Sequence, residues 1–436
     1  MTDLGELVRQ RLSENQTQVV GRVISVFAGQ IVARLPGARV GMCYRVERSD
    51  GFLYTQLVGF RGDDAYLLPF GPVDGVEPNA TVSPTEIGAR APDAAAVLGD
   101  VIDPLGVSLV DGTAHHCIGN PLQAAPPRPL DRAPIRHQAP TGLRVIDGLL
   151  PLGRGQRVGL FAGSGVGKST LLAQLARGTD SDVAVVALVG ERGREVAEFL
   201  EEVLSEEARA RTTIVVATSD APPLLRMRAA EMATALAEAW RAEGKHCLLL
   251  VDSLTRYARA LREVALLSGE RPARRGYPAS VFAALPRLLE RAGNDAVGAI
   301  TAVYTVLVDG GDMEEPVADE VRGIVDGHWV LRRSLAERGH FPAVDVPGSV
   351  SRVAPRIVGE EQLEAATAVK AALALLSQHA DAIDLGIYEP GSRPAVDAAI
   401  EAEDLLLEFT RQPPDEHSEL SETLNQLINL SEEVRT

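Results

Sequence analysis

The stretch Gly163-Ser164-Gly165-Val166-Gly167-Lys168-Ser169-Thr170 has the make-up of a phosphate cradle. Glycines allow backbone N–H groups to converge on phosphate oxygens, where a Cβ would obstruct them. A helix starting just after the glycines adds positive partial charge. Lys168 can reach the β- and γ-phosphates of a nucleotide, and the Ser169 hydroxyl can hold Mg²⁺. Ala162 stands where the first glycine of the usual pattern would be, a variant that leaves the rest of the cradle intact.

Nucleotide hydrolysis also needs a shell for the metal, a positioned water and a cation on the developing charge. Leu248-Leu249-Leu250-Val251-Asp252 is an apolar run ending in a carboxylate about eighty residues further on. Asp252 there would hold the Mg²⁺ shell, directly or through water. Leu188-Val189-Gly190-Glu191-Arg192-Gly193-Arg194-Glu195 likewise follows an apolar run. Glu191 can act as general base or orient the attacking water. Arg192 can contact phosphate or tie Glu191 to a subunit boundary. A solvated charged run opening a helix accounts for the same residues. Arg352, after the constrained turn Phe341 to Ser351, reads on composition alone as a surface arginine.

These residues need a scaffold that delivers them to one edge. The middle of the chain alternates β-type runs (Val183–Val189, Thr213–Ala217, Cys247–Val251, Ala299–Val308) with helix-period segments such as Glu195–Leu204 and Arg226–Arg241. That alternation predicts a mostly parallel sheet covered on both faces, with ligands at the carboxyl ends of its strands. Before it, short β-type runs broken by glycine predict a small barrel over residues 17–90. Residues 1–16 carry Leu4, Leu7, Val8 and Leu12 at helical spacing and predict a short leader helix. Pro121–Pro134 reads as an extended connector. The nucleotide-binding domain is expected over 91–355 and a helical domain over 356–436, with helices at Leu363–Leu376 and Val396–Phe409 and a polar break at Gln412–Asp415.

A chain of 436 residues with 45% hydrophobic and 24% charged residues reads as globular. A net charge of −17 argues against general nucleic-acid binding. Cys43, Cys117 and Cys247 are scattered and form no ligand or disulfide pattern. No export signal or membrane-length apolar run is present, which predicts a cytoplasmic protein.

Pro342-Ala343-Val344-Asp345, followed by Ser349 and Ser351, resembles the signature of rotary ATP synthase α/β subunits. Gly153–Ser169, Gly190–Val196 and Asp252–Ala260 resemble the type III secretion ATPases, and Ser268–Phe282 resembles their injectisome branch more than the flagellar one. Asp100 stands where these relatives usually carry arginine. The resemblance implies a P-loop, RecA/rotary-ATPase-like α/β core between a β-barrel and a helical domain. It also implies Mg·ATP hydrolysis at the subunit interfaces of a homohexamer, driving chaperone release and substrate unfolding. Lys168, Ser169, Glu191, Arg192 and Asp252 match its catalytic face. Arg352 matches an arginine finger delivered to the neighbouring subunit, and Phe341 matches an aromatic stacked on adenine. The implied partners are a central stalk and stator proteins, chaperone–substrate complexes, the export gate and the inner-membrane surface. Asp309–Glu315 corresponds to the stalk-facing loop. Arg271, Arg274 and Arg275 can line a central channel, and a solvated surface cluster accounts for the same residues.

Overall fold

The apolar runs of the middle third are the central strands of a single sheet. The computed structural model describes residues 20–27, 29–203 and 206–435, so the expected leader helix over 1–16 lies outside the described residues. The chain divides into two units, Met1–Arg90 with Leu267–Gly269, and the remainder.

In the first unit, β1 (Gly21–Phe27), β2 (Gln30–Arg34), β3 (Cys43–Arg48), β4 (Gly51–Arg61), β5 (Asp64–Pro69) and β6 (Thr81–Thr85) close into an antiparallel barrel, in the order β1-β2-β5-β4-β3-β6. Val23, Ile31, Ala33, Val46, Leu57, Leu67 and Val82 fill it. They alternate with exposed positions because successive side chains of a strand face opposite sides. Register shifts between Val23 and Ser25 and between Leu57 and Gly59 supply the extra bend that closure needs.

The second unit is built on a nine-stranded sheet. Its strands are β7 (Val101–Ile102), β8 (Arg157–Ala162), β9 (Val183–Glu191), β10 (Thr212–Thr218), β11 (His246–Asp252), β12 (Gly293–Asn294), β13 (Ala299–Leu307), β14 (Gly327–Leu331) and β15 (Val350–Ser351). The order is β15-β14-β8-β13-β11-β9-β10-β7, with β12 paired to β13. All pairings from β14 to β7 are parallel; β15 runs antiparallel to β14. Every residue of β9 and β11 is buried, as a sheet covered on both faces requires. The expected helices appear as Gly193–Val203 and Pro223–Ala242, the latter laid across β9, β10 and β11.

The C-terminal helices are Glu360–Asp384, Pro394–Glu401, Glu403–Thr410 and Leu420–Glu433. The continuous helix expected over Val396–Phe409 is broken at Ala402, where the chain re-aims so that Ala399, Leu406 and Phe409 are all buried. Ala365, Val369, Leu406 and Leu427 share one hydrophobic cluster with Val158 and Leu160 of β8 and Leu172 of the helix that follows the glycine loop. The helical segment thus buries its apolar stripe on the same core that holds β8. Among the described residues no helix is long and apolar enough to cross a membrane.

Candidate active site

Three strand ends meet at the carboxyl edge of the sheet. β8 ends at Ala162 and runs into the glycine loop, whose last glycine caps the helix Lys168–Gly178. Gly165 and Gly167 have φ of 76° and 82°, the left-handed region that a side chain disfavours. β9 ends at Glu191 and β11 at Asp252, in neighbouring strands with Asp252 paired to Leu188. The helix after β8 therefore delivers Lys168 toward two carboxylates brought together by strand order.

The Lys168 ammonium bonds the Asp252 carboxylate, 2.5 Å from Oδ2, and lies 3.5 Å from Glu191 Oε1. Asp252 is 2% exposed, and its Oδ1 also accepts a 2.6 Å hydrogen bond from Thr305 Oγ1. On the other side, Arg256 Nη1 lies 2.9 Å from Glu191 Oε2 and bonds the Gly190 carbonyl. A Cβ on Gly190 would sit 3.1 Å from Arg256 Cδ, so glycine there allows the arginine to cross the strand end. Glu191 Oε1 is buried and makes no hydrogen bond.

Burial, then repulsion from Asp252, push the Glu191 carboxyl up to about 7, against the pull of Lys168 and Arg256. Glu195 shares a hydrogen bond with Glu191, and that bond holds the Glu195 carboxyl below its ordinary range. In this pair the proton resides on Glu191. A carboxyl poised near neutrality with an oxygen left unbonded suits proton acceptance from water.

A nucleotide and Mg²⁺ fit the chemistry of this donor set. Ser169 lies in the first helical turn after the loop, and Asp252 is a buried carboxylate bonded to Lys168 of the same turn. Among the described residues no group of three or more His, Cys, Asp or Glu side chains forms a metal cage.

Phe341 belongs to this edge as well. Its ring carbons come within 3.2 Å of the position a Cβ on Gly167 would take, and the ring is 41% exposed. Arg192 is not drawn into the cluster: its guanidinium is exposed and pairs with Glu195 at 3.5 Å. Arg352 is remote from it. β15 pairs Ser351 with Gly327, and β14 pairs Gly327 with Val158, whereas the loop begins beyond the Leu331–Ala162 pair. The offset is about 13 Å along the strands. The Arg352 guanidinium instead donates to the Val325 and Arg322 carbonyls at 3.3 and 3.1 Å, at the C-terminal end of the helix Pro316–Ile324.

Sequence reading missed the supporting groups. Arg256 lies four residues beyond Asp252, one helical turn, and that spacing is a usable signal. Thr305 carries none, because it reaches Asp252 only through the insertion of β13 between β8 and β11.

Comparison with known proteins agrees with this geometry. The nucleotide-binding domain of the ATP synthase alpha/beta family matches residues 142–351, and that family's beta-barrel domain matches 16–86. The T3SS EscN ATPase C-terminal domain matches 358–429. The flagellum-specific ATP synthase of Pseudomonas aeruginosa is 44% identical over 95% of this chain and 94% of its own. The type 3 secretion system ATPase of Pseudomonas syringae pv. syringae is 43% identical over 98% and 97%. The assembled ATPase EscN from the type III secretion system of enteropathogenic E. coli superposes with a TM-score of 0.88 at 43% identity. That match covers 94% of this chain and 100% of the solved EscN chain. EscN in complex with its central stalk EscO gives 0.86 at 42% identity, with the same coverage.

Proposed function

Since this chain belongs to the type III secretion ATPases, relatives of the rotary ATP synthases and themselves ATP hydrolases of protein transport, we propose that it hydrolyses Mg·ATP at the seams of a homohexamer. The observation that carries this reading is the separation of two halves of a site on one chain. Lys168, Glu191 and Asp252 converge at the carboxyl edge, while Arg352 stands at the amino edge of the same sheet. A head-to-tail neighbour would bring one chain's Arg352 to the next chain's cradle.

In this mechanism the amides of Gly163–Gly167 and the side chains of Lys168 and Thr170 hold the phosphates, and Ser169 and Asp252 would hold Mg²⁺, whose charge would offset that on the transferring phosphoryl group. Glu191, braced by Arg256, orients the attacking water and takes its proton. Arg352 of the neighbour stabilises charge on the transferring phosphoryl group. Phe341 offers an apolar face to the base of ATP or ADP, and Arg192 reaches the subunit boundary.

The work done with this energy is taken to be chaperone release and substrate unfolding at an export gate, on the cytoplasmic face of the inner membrane. EscN was solved with a central stalk, and a stalk partner is proposed here too, with a stator. The loop expected to face it is tied to Arg275, which lies 3.2 Å from Asp312, and Arg274 lies 3.0 Å from Asp319 in the helix that follows the loop. Injectisome and flagellar relatives are equally similar, so the injectisome assignment rests on the Ser268–Phe282 motif. Nucleic acid has no part in this reading. Phosphate release with Mg²⁺ tests it. Lys168→Ala should abolish turnover, and turnover at the wild-type rate would refute the cradle.

A further inference from the structure

The glycine loop is braced from outside by a residue that no step above uses. Arg333 Nη2 donates a 3.1 Å hydrogen bond to the Ser164 carbonyl, inside the glycine loop. Arg333 opens the short helix Arg333–Glu337, which leads directly to Phe341, the ring lying against Gly167. One segment therefore touches the loop at two points, Ser164 and Gly167.

The base of that segment is firmly held. The Arg332 amide donates to the Ala343 carbonyl at 2.9 Å, and Leu331 bridges to Val344. The Arg332 guanidinium lies 2.6 Å from the Asp345 carboxylate. Arg333 thus projects from the rim of β14, not from a free loop.

A trans peptide unit points its C=O and its N–H to opposite sides. Holding the Ser164 oxygen toward Arg333 therefore turns the Gly165 N–H away from Arg333. Gly165, at φ 76° with nothing within 4 Å of a Cβ position, has little steric resistance to the opposite orientation. That flipped peptide would present a carbonyl oxygen to a phosphate and repel it. We infer that Arg333 is a positioning residue for nucleotide binding: it fixes the Ser164–Gly165 peptide so that the loop offers a donor to phosphate. The inference rests on the nucleotide reading above and adds a specific residue to it.

The test uses the full chain, the N-methylanthraniloyl derivative of ADP as binding probe, and steady-state Mg·ATP turnover. Loss of one charge-assisted hydrogen bond predicts that Arg333→Ala weakens probe binding and raises KM for ATP about tenfold. The turnover number should stay within about twofold, because the contact is equal in ground and transition states. Arg333→Lys, which keeps a charged donor, should bind within about threefold of wild type. Unchanged Kd and KM in Arg333→Ala overturn the inference, and so does a lysine variant as weak as the alanine one. The Arg333 side chain is exposed, so the core is untouched, and if the alanine variant does not fold, Arg333→Met, which keeps the length but has no donor, carries the same expectation and the same refutation. Wild-type protein that neither binds the probe nor hydrolyses ATP would instead sink the nucleotide reading itself.

Discussion

Replacing Glu191 by glutamine should stabilise the protein while stopping its chemistry. The native site moves this carboxyl from an ordinary value of 4.5 to about 7, with burial the largest cause and Asp252 the next. A carboxyl raised in the folded state favours folding in its protonated form. That contribution is complete below 4.5 and is lost as the pH climbs through about 7. At pH 8 the ionised Glu191 therefore costs the nucleotide-free protein about 3 kcal/mol relative to its neutral form. The side chain is 7% exposed, so solvent screening removes little of this. Glutamine mimics the neutral form in size and hydrogen-bonding capacity and does not titrate.

The assay is thermal unfolding of wild type and Glu191→Gln without nucleotide, at pH 5 and pH 8. The variant should melt clearly higher at pH 8, and the two should converge toward pH 5. ATP should still bind the variant, because the cradle is unaltered, and phosphate release should cease. A variant no more stable at pH 8, or a gap that fails to narrow toward pH 5, would refute the assigned environment of Glu191. Loss of ATP binding would make Glu191 a structural brace for Lys168 and Arg256 and deny it the role of base.

The same carboxyl sets the pH dependence of turnover. As a proton acceptor Glu191 must be ionised, so kcat/KM should fall about tenfold per pH unit below about 7; a flat profile between pH 8 and pH 6 would count against it as base. A divalent cation on Asp252 offsets the repulsion that raises Glu191, so the acid limb of kcat should lie at lower pH than that of kcat/KM. Arg352→Ala and Lys168→Ala should each be inactive alone, and mixing them should restore part of the activity at hybrid seams. Silence in verified co-assemblies would deny Arg352 a role in trans.

The parts of the site that sequence reveals are those whose function needs a backbone shape or a strand end. The cradle is legible because phosphate contact demands glycines between a strand and a helix, and Gly165 and Gly167 occupy the left-handed region. Glu191 and Asp252 are legible because carboxylates closing apolar strands sit at the ligand edge of a parallel sheet. Their mutual distance is not legible. It follows from β9 lying beside β11, an order fixed by packing across the whole sheet. Thr305 and Arg333 likewise depend on which strands flank β8 and carry no local signal, whereas the one-turn spacing of Arg256 from Asp252 is readable. The break at Ala402 escaped too, since alanine favours helix and only the burial of Ala399 and Leu406 on one core explains the turn.

The direction of β15 is the least legible feature and bears most on function. Pairing antiparallel to β14, it brings Arg352 to the amino edge of the sheet, with the Arg352 amide on the Asp326 carbonyl at 3.1 Å. Asp326 is itself held by Arg157, whose Nε lies 3.0 Å from its carboxylate, and Arg157 also reaches Glu290 at 2.5 Å. Arg157 opens β8, the strand that ends at the phosphate loop. A single strand thus anchors Arg352 at one end and the glycine loop at the other, and its length keeps the two apart within one protomer. On the reading offered here, contact between them requires two copies meeting through different faces, a heterologous seam that must close into a ring or continue as a filament. Turnover should then depend on protein concentration, rising faster than linearly with it under dilute conditions. Strict proportionality down to concentrations where the chain is monomeric would mean that Arg352 is not needed for hydrolysis.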